Sequence, residues 1–157
     1  MRIRQVSTPA ELRQFIELPY RLYRRDPLWV PPLRSEQRAQ FDAARNPMLD
    51  HCEVALFLLE DGGREPVGRV SAFIDRLAVE HWRAPIGLFG SYECASRGEG
   101  PRLLLSAAEA WLRERGMRAM RGPWSFASQE WGLVLEGFSP APVIMAPYNP
   151  PAYNDDL

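Results

Sequence analysis

The stretch from Gly87 to Arg121 constrains the fold more than any other part of the chain. Residues Gly87 to Cys94 have the apolar pattern of a strand, a glycine-bearing loop follows, and Arg102 to Arg115 have the periodicity of an amphipathic helix. Gly116 stands where a helix commonly ends, and Met117 to Arg121 have the length of a further strand. Because two strands joined through a helix run parallel, this stretch predicts a right-handed parallel crossover.

Three earlier segments predict the antiparallel part of the same sheet. Arg2 to Val6 alternate between polar and apolar residues, and Cys52 to Leu59 form the nearly continuous apolar run of a buried strand. Asp61-Gly62-Gly63-Arg64 is a hairpin signal, so Pro66 to Asp75 should form the returning strand. We therefore expect an α/β fold with a mixed central sheet, antiparallel in its N-terminal half, with one parallel crossover and flanking helices.

Two helices are expected between the first and second strands. Thr8 fits an N-cap, Pro9 the first helical position and Glu11 the third, which together form a capping box. Pro19 falls within the apolar pattern of this helix and should kink or end it. Residues Arg34 to Ala44 predict the second, shorter helix.

Four further segments carry weaker patterns. Arg76 to Pro85 reads as a linker, and Gln129 to Gly137 predicts one turn of helix. Val143 to Met145 has the composition of a strand, and the tail from Tyr148 to Tyr153 should be irregular because of its prolines.

Composition and charge exclude several classes of partner. The chain has 157 residues, enough for one domain, and a net charge of −1. That balance gives no support for binding to nucleic acid or to an anionic membrane. The sequence has no apolar stretch of the length that a bilayer or a signal peptide requires, so we expect a cytoplasmic protein without a membrane partner.

The cysteines and histidines do not predict a metal site. Cys52 and Cys94 lack the spacing of metal ligands, and His51 and His81 are isolated in the sequence. We expect both cysteines to be reduced and to pack as small apolar side chains. No metal cofactor is therefore expected.

Several short motifs, spread over nearly the whole chain, point in combination to a known family. They are Leu18-Pro19-Tyr20 followed by Tyr23, Asp26-Pro27-Leu28-Trp29-Val30-Pro31-Pro32-Leu33, Asn46-Pro47, Val67-Gly68-Arg69-Val70, Gly87-Leu88-Phe89-Gly90, Gly122-Pro123, Glu136-Gly137-Phe138 and Met145-Ala146-Pro147-Tyr148-Asn149-Pro150. Together with the order of elements, they resemble the GCN5-related N-acetyltransferase superfamily, called GNAT, and within it a bacterial GNAT-like subgroup. None of the motifs is specific alone.

The resemblance implies where an acyl donor would bind. Two central strands of this fold splay apart, and acetyl-CoA or another acyl-CoA lies in the gap, with its pantetheine along the strand from Gly87 to Cys94. Its pyrophosphate would lie against the following loop and helix, where free N–H groups and the helix dipole attract anions. The residues implied to hold the cofactor are Ser91, Tyr92, Cys94, Arg97, Gly98, Gly100, Arg102 and Leu103.

The same resemblance implies a base, an acid and a substrate pocket. Strand alternation would place Phe89, Ser91 and Glu93 on one face, and Glu93 is our candidate base, although a carboxylate paired with an arginine is the alternative. Tyr148 is the candidate acid, with Tyr153 the second choice, and the alternative is that both are packing aromatics. The candidate substrate residues, which follow a predicted strand end, are Ser125, Ser128 and Glu130.

The function implied is acyl-CoA-dependent N-acylation of a small-molecule or peptide amine. The alternative is a non-catalytic GNAT-fold module for assembly or partner binding; a third possibility is a peptide or lipid binder that uses Trp29 to Pro32. Residues 1–157 should form a single GNAT-like domain corresponding to the N-terminal half of longer relatives and lacking the usual C-terminal strand or strands. The sheet edge left open would permit a homodimer.

Overall fold

A computed structural model describes residues 1–63, 65–126, 131–139, 141–143 and 146–157. The strands of the described residues are β1 Arg2–Gln5, β2 Cys52–Glu60, β3 Gly68–Asp75, β4 Ile86–Cys94 and β5 Ala119–Arg121. The helices are α1 Pro9–Leu22, α2 Arg34–Gln40, α3 Arg76–Trp82, α4 Glu99–Glu114 and α5 Tyr153–Asp156, with a 3-10 turn at Pro47–Asp50.

The five strands form one mixed sheet in the order β1-β2-β3-β4-β5. The pairs from β1 to β4 are antiparallel, and β4 and β5 are parallel because α4 carries the chain back across the sheet. This arrangement confirms the predicted α/β class, the hairpin between β2 and β3, and β1 as an edge strand.

The two faces of the sheet are covered by different helices. On one face α4 buries Leu104, Ala108 and Leu112 against the central strands. On the other face Phe15 of α1 packs against Leu56 and Leu58 of β2. Such fully buried leucines each stabilise the fold by a few kcal/mol relative to alanine, about 2–5. The core therefore holds the sheet rigidly between α1 and α4.

Glycine is required where α4 approaches β3. A Cβ atom at Gly68 would lie 2.8 Å from the Leu104 side chain and 3.0 Å from the Glu93 carbonyl oxygen. The backbone of β3 therefore approaches α4 closely at Gly68. The C-terminal end of α4 also agrees with the sequence, because Gly116 follows it with φ +84°.

The start of α1 is the predicted capping box. The Thr8 hydroxyl accepts a hydrogen bond from the Glu11 N–H, and the Glu11 carboxylate accepts one from the Thr8 N–H. The expected end at Pro19 is wrong, since α1 continues to Leu22. Proline removes only one backbone hydrogen bond of the helix, so the helix continues past it.

Other segments differ from expectation. The linker from Arg76 to Pro85 contains α3, whose N-terminus is capped by the Asp75 carboxylate through the Leu77 and Ala78 N–H groups. The second helix ends at Gln40 rather than Ala44. Residues 131–137 are not helical, whereas residues 148–152 are irregular as expected, and the short helix α5 begins at Tyr153.

The rest of the weak predictions lie partly or wholly outside the described residues. This applies to Gln129 and Glu130 in the expected helical turn and to Ile144 and Met145 in the expected strand. In the described ranges, no helix combines the length and apolarity needed to span a bilayer.

Candidate functional site

Strand β4 contains one residue more than its partner β3 requires. Gly90 pairs with Ser71 and Glu93 pairs with Arg69, so two β4 residues stand opposite one β3 residue. Ser91, within this bulge, has φ +48°, in the left-handed region. The extra residue of a bulge is left unpaired on the neighbouring strand. The backbone at Ser91 is therefore displaced from the regular ladder.

The bulge decides which side of the sheet Glu93 faces. Phe89 and Tyr92 both pack in the core under α4, whereas Glu93 contacts Tyr23, the residue that ends α1. The expectation that Phe89, Ser91 and Glu93 share a face is therefore wrong. An irregularity of one residue reverses the alternation, and the sequence pattern alone does not mark it.

Glu93 is the centre of a buried polar cluster. Its carboxylate accepts hydrogen bonds from the Tyr23 hydroxyl at 2.5 Å and from the Tyr153 hydroxyl at 2.9 Å. Arg69 Nη2 lies 3.9 Å from the other carboxylate oxygen. Burial first, and then the negative charge of Glu93, raise the pKa values of both phenols. Both hydroxyls therefore remain protonated and donate to the carboxylate.

Arg69 is positioned by a backbone carbonyl that Pro19 releases. A proline has no N–H, so the carbonyl four residues earlier, that of Phe15, lacks its usual helical partner. Arg69 Nη1 donates to this oxygen at 2.8 Å, and the guanidinium lies 5.0 Å from the centre of the Phe15 ring. The interior proline of α1 thus provides an acceptor for the arginine that faces Glu93.

The second half of β4 borders an opening in the sheet. β5 pairs only with Ile86–Leu88, and the Trp124 N–H then donates to the Phe89 carbonyl at 2.8 Å. Gly90 must be glycine, because a Cβ there would lie 1.7 Å from the Trp124 carbonyl oxygen. β5 ends at Arg121, so among the described residues the second half of β4 has no strand partner on this side.

Helix α5 lies at the far end of this opening. The Cys94 N–H donates to the Tyr153 hydroxyl at 2.8 Å, and the Tyr92 hydroxyl donates to Asp156 at 3.0 Å. Burial raises the pKa values of the Cys94 thiol and the Tyr92 hydroxyl, so both stay neutral. A ligand that paired with β4 at Cys94 would have to replace the Tyr153 hydroxyl.

A cavity of about 490 Å³ lies beside β4 and brings together residues from α1, α2, β3, β4 and the C-terminal segment. A neighbouring, more apolar cavity of about 380 Å³ shares part of its wall. The polar lining residues of the larger cavity include Gln37, Gln40, Arg69, Ser91, Glu93, Ser125 and Tyr148. The wall common to both cavities consists of Pro142, Val143, Ala146, Pro147, Tyr148 and Asn149.

Tyr148 lies in the same cavity as Glu93 but donates its hydrogen bond elsewhere. Its hydroxyl is bonded to the Asp26 carboxylate, and its ring packs edge-on against Tyr23. Burial, followed by the bond to Asp26, raises the pKa of Tyr148 to about 12, and the same bond lowers the pKa of Asp26. The role of Tyr148 as an acid stays a prediction.

The predicted phosphate site combines an exposed loop with an uncapped helix. Arg97 and Gly98 are exposed, Gly98 has φ +77°, and no side chain caps the start of α4. Gly100, by contrast, is a packing residue, since a Cβ there would lie 2.9 Å from Ser96 and 3.0 Å from Leu59. In the first turn of α4, Glu99 and Arg102 are exposed whereas Gly100 and Pro101 are buried, and Pro101 has no N–H, so the role of this turn as a phosphate site stays a prediction.

The remaining cofactor and substrate candidates are placed as follows. Arg102 is exposed on the first turn of α4, and Leu103 is half-buried at the edge of the core. Ser125 is buried in the cavity wall. Ser128 and Glu130 lie outside the described residues.

Sequence reasoning missed Tyr23 and Arg69. A signal existed for Arg69, because every neighbour of this cation in the buried strand from Gly68 to Ile74 is uncharged. A cation within a buried strand needs a partner, so it marks a polar contact in the core. Tyr23 carried no such signal, since its contact with Glu93 spans 70 residues of chain.

The fold also brings His51, Cys52 and Asp75 together, although their sequence positions predicted no cluster. Their potential ligand atoms lie within 4.8 Å of one another, and His51 Nδ1 is 3.0 Å from Asp75 Oδ1. That same oxygen caps α3. Burial and the charge of Asp75 raise the pKa of Cys52 to about 12, which keeps the thiol protonated. Capping and hydrogen bonding account for this arrangement.

Comparison with known proteins identifies two bacterial relatives, although no protein-family model matches. The chain is 40% identical to a protein of Caulobacter vibrioides named bacterial ceramide synthase. The match extends over 147 residues, which are 92% of this chain. This chain is also 36% identical to protein YghO of Escherichia coli, over 152 residues that make up 96% of this chain. The chain spans 38% of the length of each of these relatives.

A solved structure decides the fold. An acetyltransferase of the GNAT family from Staphylococcus aureus superposes with a TM-score of 0.51 at 12% identity, covering 74% of this chain and 69% of that one. The chain has the GNAT fold. The mixed sheet and the parallel crossover through α4 are the features that the two share, so the expected GNAT-like architecture is confirmed.

Proposed function

We propose that this chain provides the catalytic core for transfer of an acyl group from acyl-CoA to an amine. The observation that carries the proposal is the Glu93 carboxylate, which lies in the wall of a 490 Å³ cavity beside the opening between β4 and β5. Two phenols and an arginine fix its position. A base on a rigid support beside a splayed strand is what N-acylation on this fold requires.

The proposed reaction assigns each proton. The attacking amine gives a proton to Glu93, its nitrogen forms a bond to the thioester carbonyl carbon, and the carbon–sulfur bond breaks. The leaving thiolate takes up a proton from Tyr153, which recovers one from Glu93 along their 2.9 Å hydrogen bond. The displaced backbone at Ser91 is suited to polarise the carbonyl. Tyr153 therefore replaces Tyr148 as our first choice of acid.

Donor binding would use the strand, loop and helix that follow one another in the chain. The uncapped first turn of α4, together with Arg97 and Arg102, would hold the pyrophosphate. The open space around Gly98 supports this role, since a Cβ there would meet no atom within 4 Å. The pantetheine would follow β4 and displace the Tyr153 hydroxyl from Cys94.

We further propose that the acceptor is an amine with a long apolar chain. A ceramide is an amide of a long-chain amino alcohol, so the name of the Caulobacter relative denotes this type of product. The more apolar second cavity supports the same class of acceptor here. Val143, which is 77% exposed, extends this apolar wall to the surface.

The test is an acyl-transfer assay with the Glu93→Gln variant. Purified protein receives acyl-CoA donors of several chain lengths and a long-chain amino alcohol, and amide product is measured by mass spectrometry. We expect Glu93→Gln to lower kcat by about 10²- to 10⁴-fold, because the base is lost while the shape is kept. The matched control is Glu53→Gln, which removes a carboxylate bonded to Arg115 on the surface. Equal rates in both variants would contradict the proposal.

A further inference from the structure

Helix α2 buries a glutamine instead of an apolar residue. Of the seven residues from Arg34 to Gln40, Gln37 is the one that is buried, with 8% of its surface exposed. A short helix that covers a cavity ordinarily turns an apolar side chain inward. Packing therefore does not account for the choice of residue at this position.

The carboxamide of Gln37 has no hydrogen-bond partner in the described part of the chain. Gln37 lines the 490 Å³ cavity, and Gln40, one turn later on the same helix, lines it too. A carboxamide offers two donor hydrogens and an acceptor oxygen, and the amide atoms of Gln37 are not among the enclosed polar atoms that lack a partner, so they are open to the cavity. A carboxamide that is open to a cavity and has no protein partner is available to pair with a bound ligand.

The chemistry of the cavity wall limits what this ligand can be. Glu93 and Arg69 lie in the same wall with their charged groups 3.9 Å apart, so charge alone does not select the acceptor. A neutral carboxamide matches a group that both donates and accepts, which is the property of a hydroxyl. The apolar wall shared by the two cavities accommodates the rest of the molecule.

We infer that Gln37, assisted by Gln40, binds a hydroxyl group that lies close to the amine of the acceptor. This inference rests on the proposed function and narrows its acceptor to amino alcohols in preference to simple alkylamines. Gln37 is thereby a specificity-determining residue, and Glu93 remains the base. The two roles are separable because the glutamine takes no part in proton transfer.

The experiment compares two acceptors with matched chains. Isothermal titration without donor gives the Kd of a long-chain 2-amino-1-alcohol and of the alkylamine of equal length, and kcat/KM is then measured with acyl-CoA. We expect Gln37→Met to weaken binding of the amino alcohol by about 10- to 100-fold and to leave that of the alkylamine unchanged. Gln5→Met, on the exposed edge strand β1, is the control.

The inference would be overturned if Gln37→Met weakened the binding of the amino alcohol and of the alkylamine equally. Equal affinity of the unchanged protein for these two ligands would also overturn it. If Gln37→Met does not fold, as judged by its unfolding midpoint, Gln40→Met replaces it and should show a smaller effect in the same direction. Failure of the proposed function has a different signature. In that case no amide forms with either acceptor, while the difference in Kd between the amino alcohol and the alkylamine persists.

Discussion

At the scale of single residues, Pro19 and Arg69 act as one unit. The proline leaves the Phe15 carbonyl without its helical partner, and Arg69 donates a hydrogen bond to this oxygen at 2.8 Å while facing Glu93. Each residue alone is unfavourable, since proline disrupts a helix and a buried cation loses its hydration. Together they form a hydrogen bond between the guanidinium and the carbonyl that the proline leaves unpaired, and this bond connects α1 to the candidate active site.

A double-mutant cycle measures this connection. Arg69→Met should destabilise the protein more in the presence of Pro19 than in a Pro19→Ala background, because alanine supplies an N–H to the Phe15 carbonyl. We expect a coupling free energy of about 1 kcal/mol, within the range for residues that share a hydrogen-bond partner. Denaturant unfolding of the four proteins gives the value. Strict additivity would show that the proline has no part in positioning the arginine.

At the scale of elements, the start of α1 illustrates a local rule that sets structure. Glu11 accepts hydrogen bonds from the Ser7 and Thr8 N–H groups and also pairs with Arg4 of β1. The bond from the Ser7 backbone is the main cause that lowers the pKa of Glu11 from 4.5 to about 2, followed by that from Arg4. The capping box therefore also fixes the helix to the edge strand.

The capping box predicts a specific pH dependence. A carboxyl group with a lowered pKa in the folded state stabilises the protein above its unfolded pKa of 4.5, and this contribution is lost as the pH falls towards 2. Glu11→Gln should therefore flatten the decline of the unfolding free energy over this pH window. Glu36→Gln, on the exposed side of α2, serves as the control. Identical profiles for Glu11→Gln and the unchanged protein would refute the assignment.

These elements show what sequence predicts and what it does not. Thr8, Pro9 and Glu11 form a local signal, so the start of α1 was predictable to the residue. Asp75 was an equally local signal for α3, which the linker interpretation overlooked. The bulge at Ser91 is different, because it depends on how β4 meets β3 and on no short pattern. The wrong prediction that Glu93 shares a face with Phe89 follows directly from this bulge.

At the scale of the whole molecule, the two halves of the sheet differ. The strands from β1 to β4 form a continuous antiparallel sheet, whereas β5 pairs with only the first part of β4. The antiparallel half from β1 to β4 and the crossover through α4 follow from periodicity, and both were predicted. The composition of the cavity was not predicted, because Pro19, Gln37 and Tyr153 converge on it from distant parts of the chain. Convergence of this kind is a property of the fold.

Acyl-CoA should stabilise the folded molecule through this opening. A ligand that binds only the folded state at 100 times its Kd adds about 2.7 kcal/mol to the unfolding free energy. We expect such a gain with acyl-CoA and a smaller one with the matching acyl-pantetheine, which lacks the pyrophosphate that α4 would hold. Thermal and denaturant unfolding at equal ligand concentrations measure both. Equal stabilisation by the two compounds would exclude α4 as the phosphate site.

The extra residue in β4 also determines how this strand tolerates changes of length. Removal of Ser91 would leave equal numbers of residues between the flanking pairs, Gly90 with Ser71 and Glu93 with Arg69. The shortened strand would keep core and cavity side chains on their present sides, since its alternation becomes regular. A gene that lost this one codon should thus encode a well-folded protein whose backbone no longer departs from the regular ladder at the proposed thioester position.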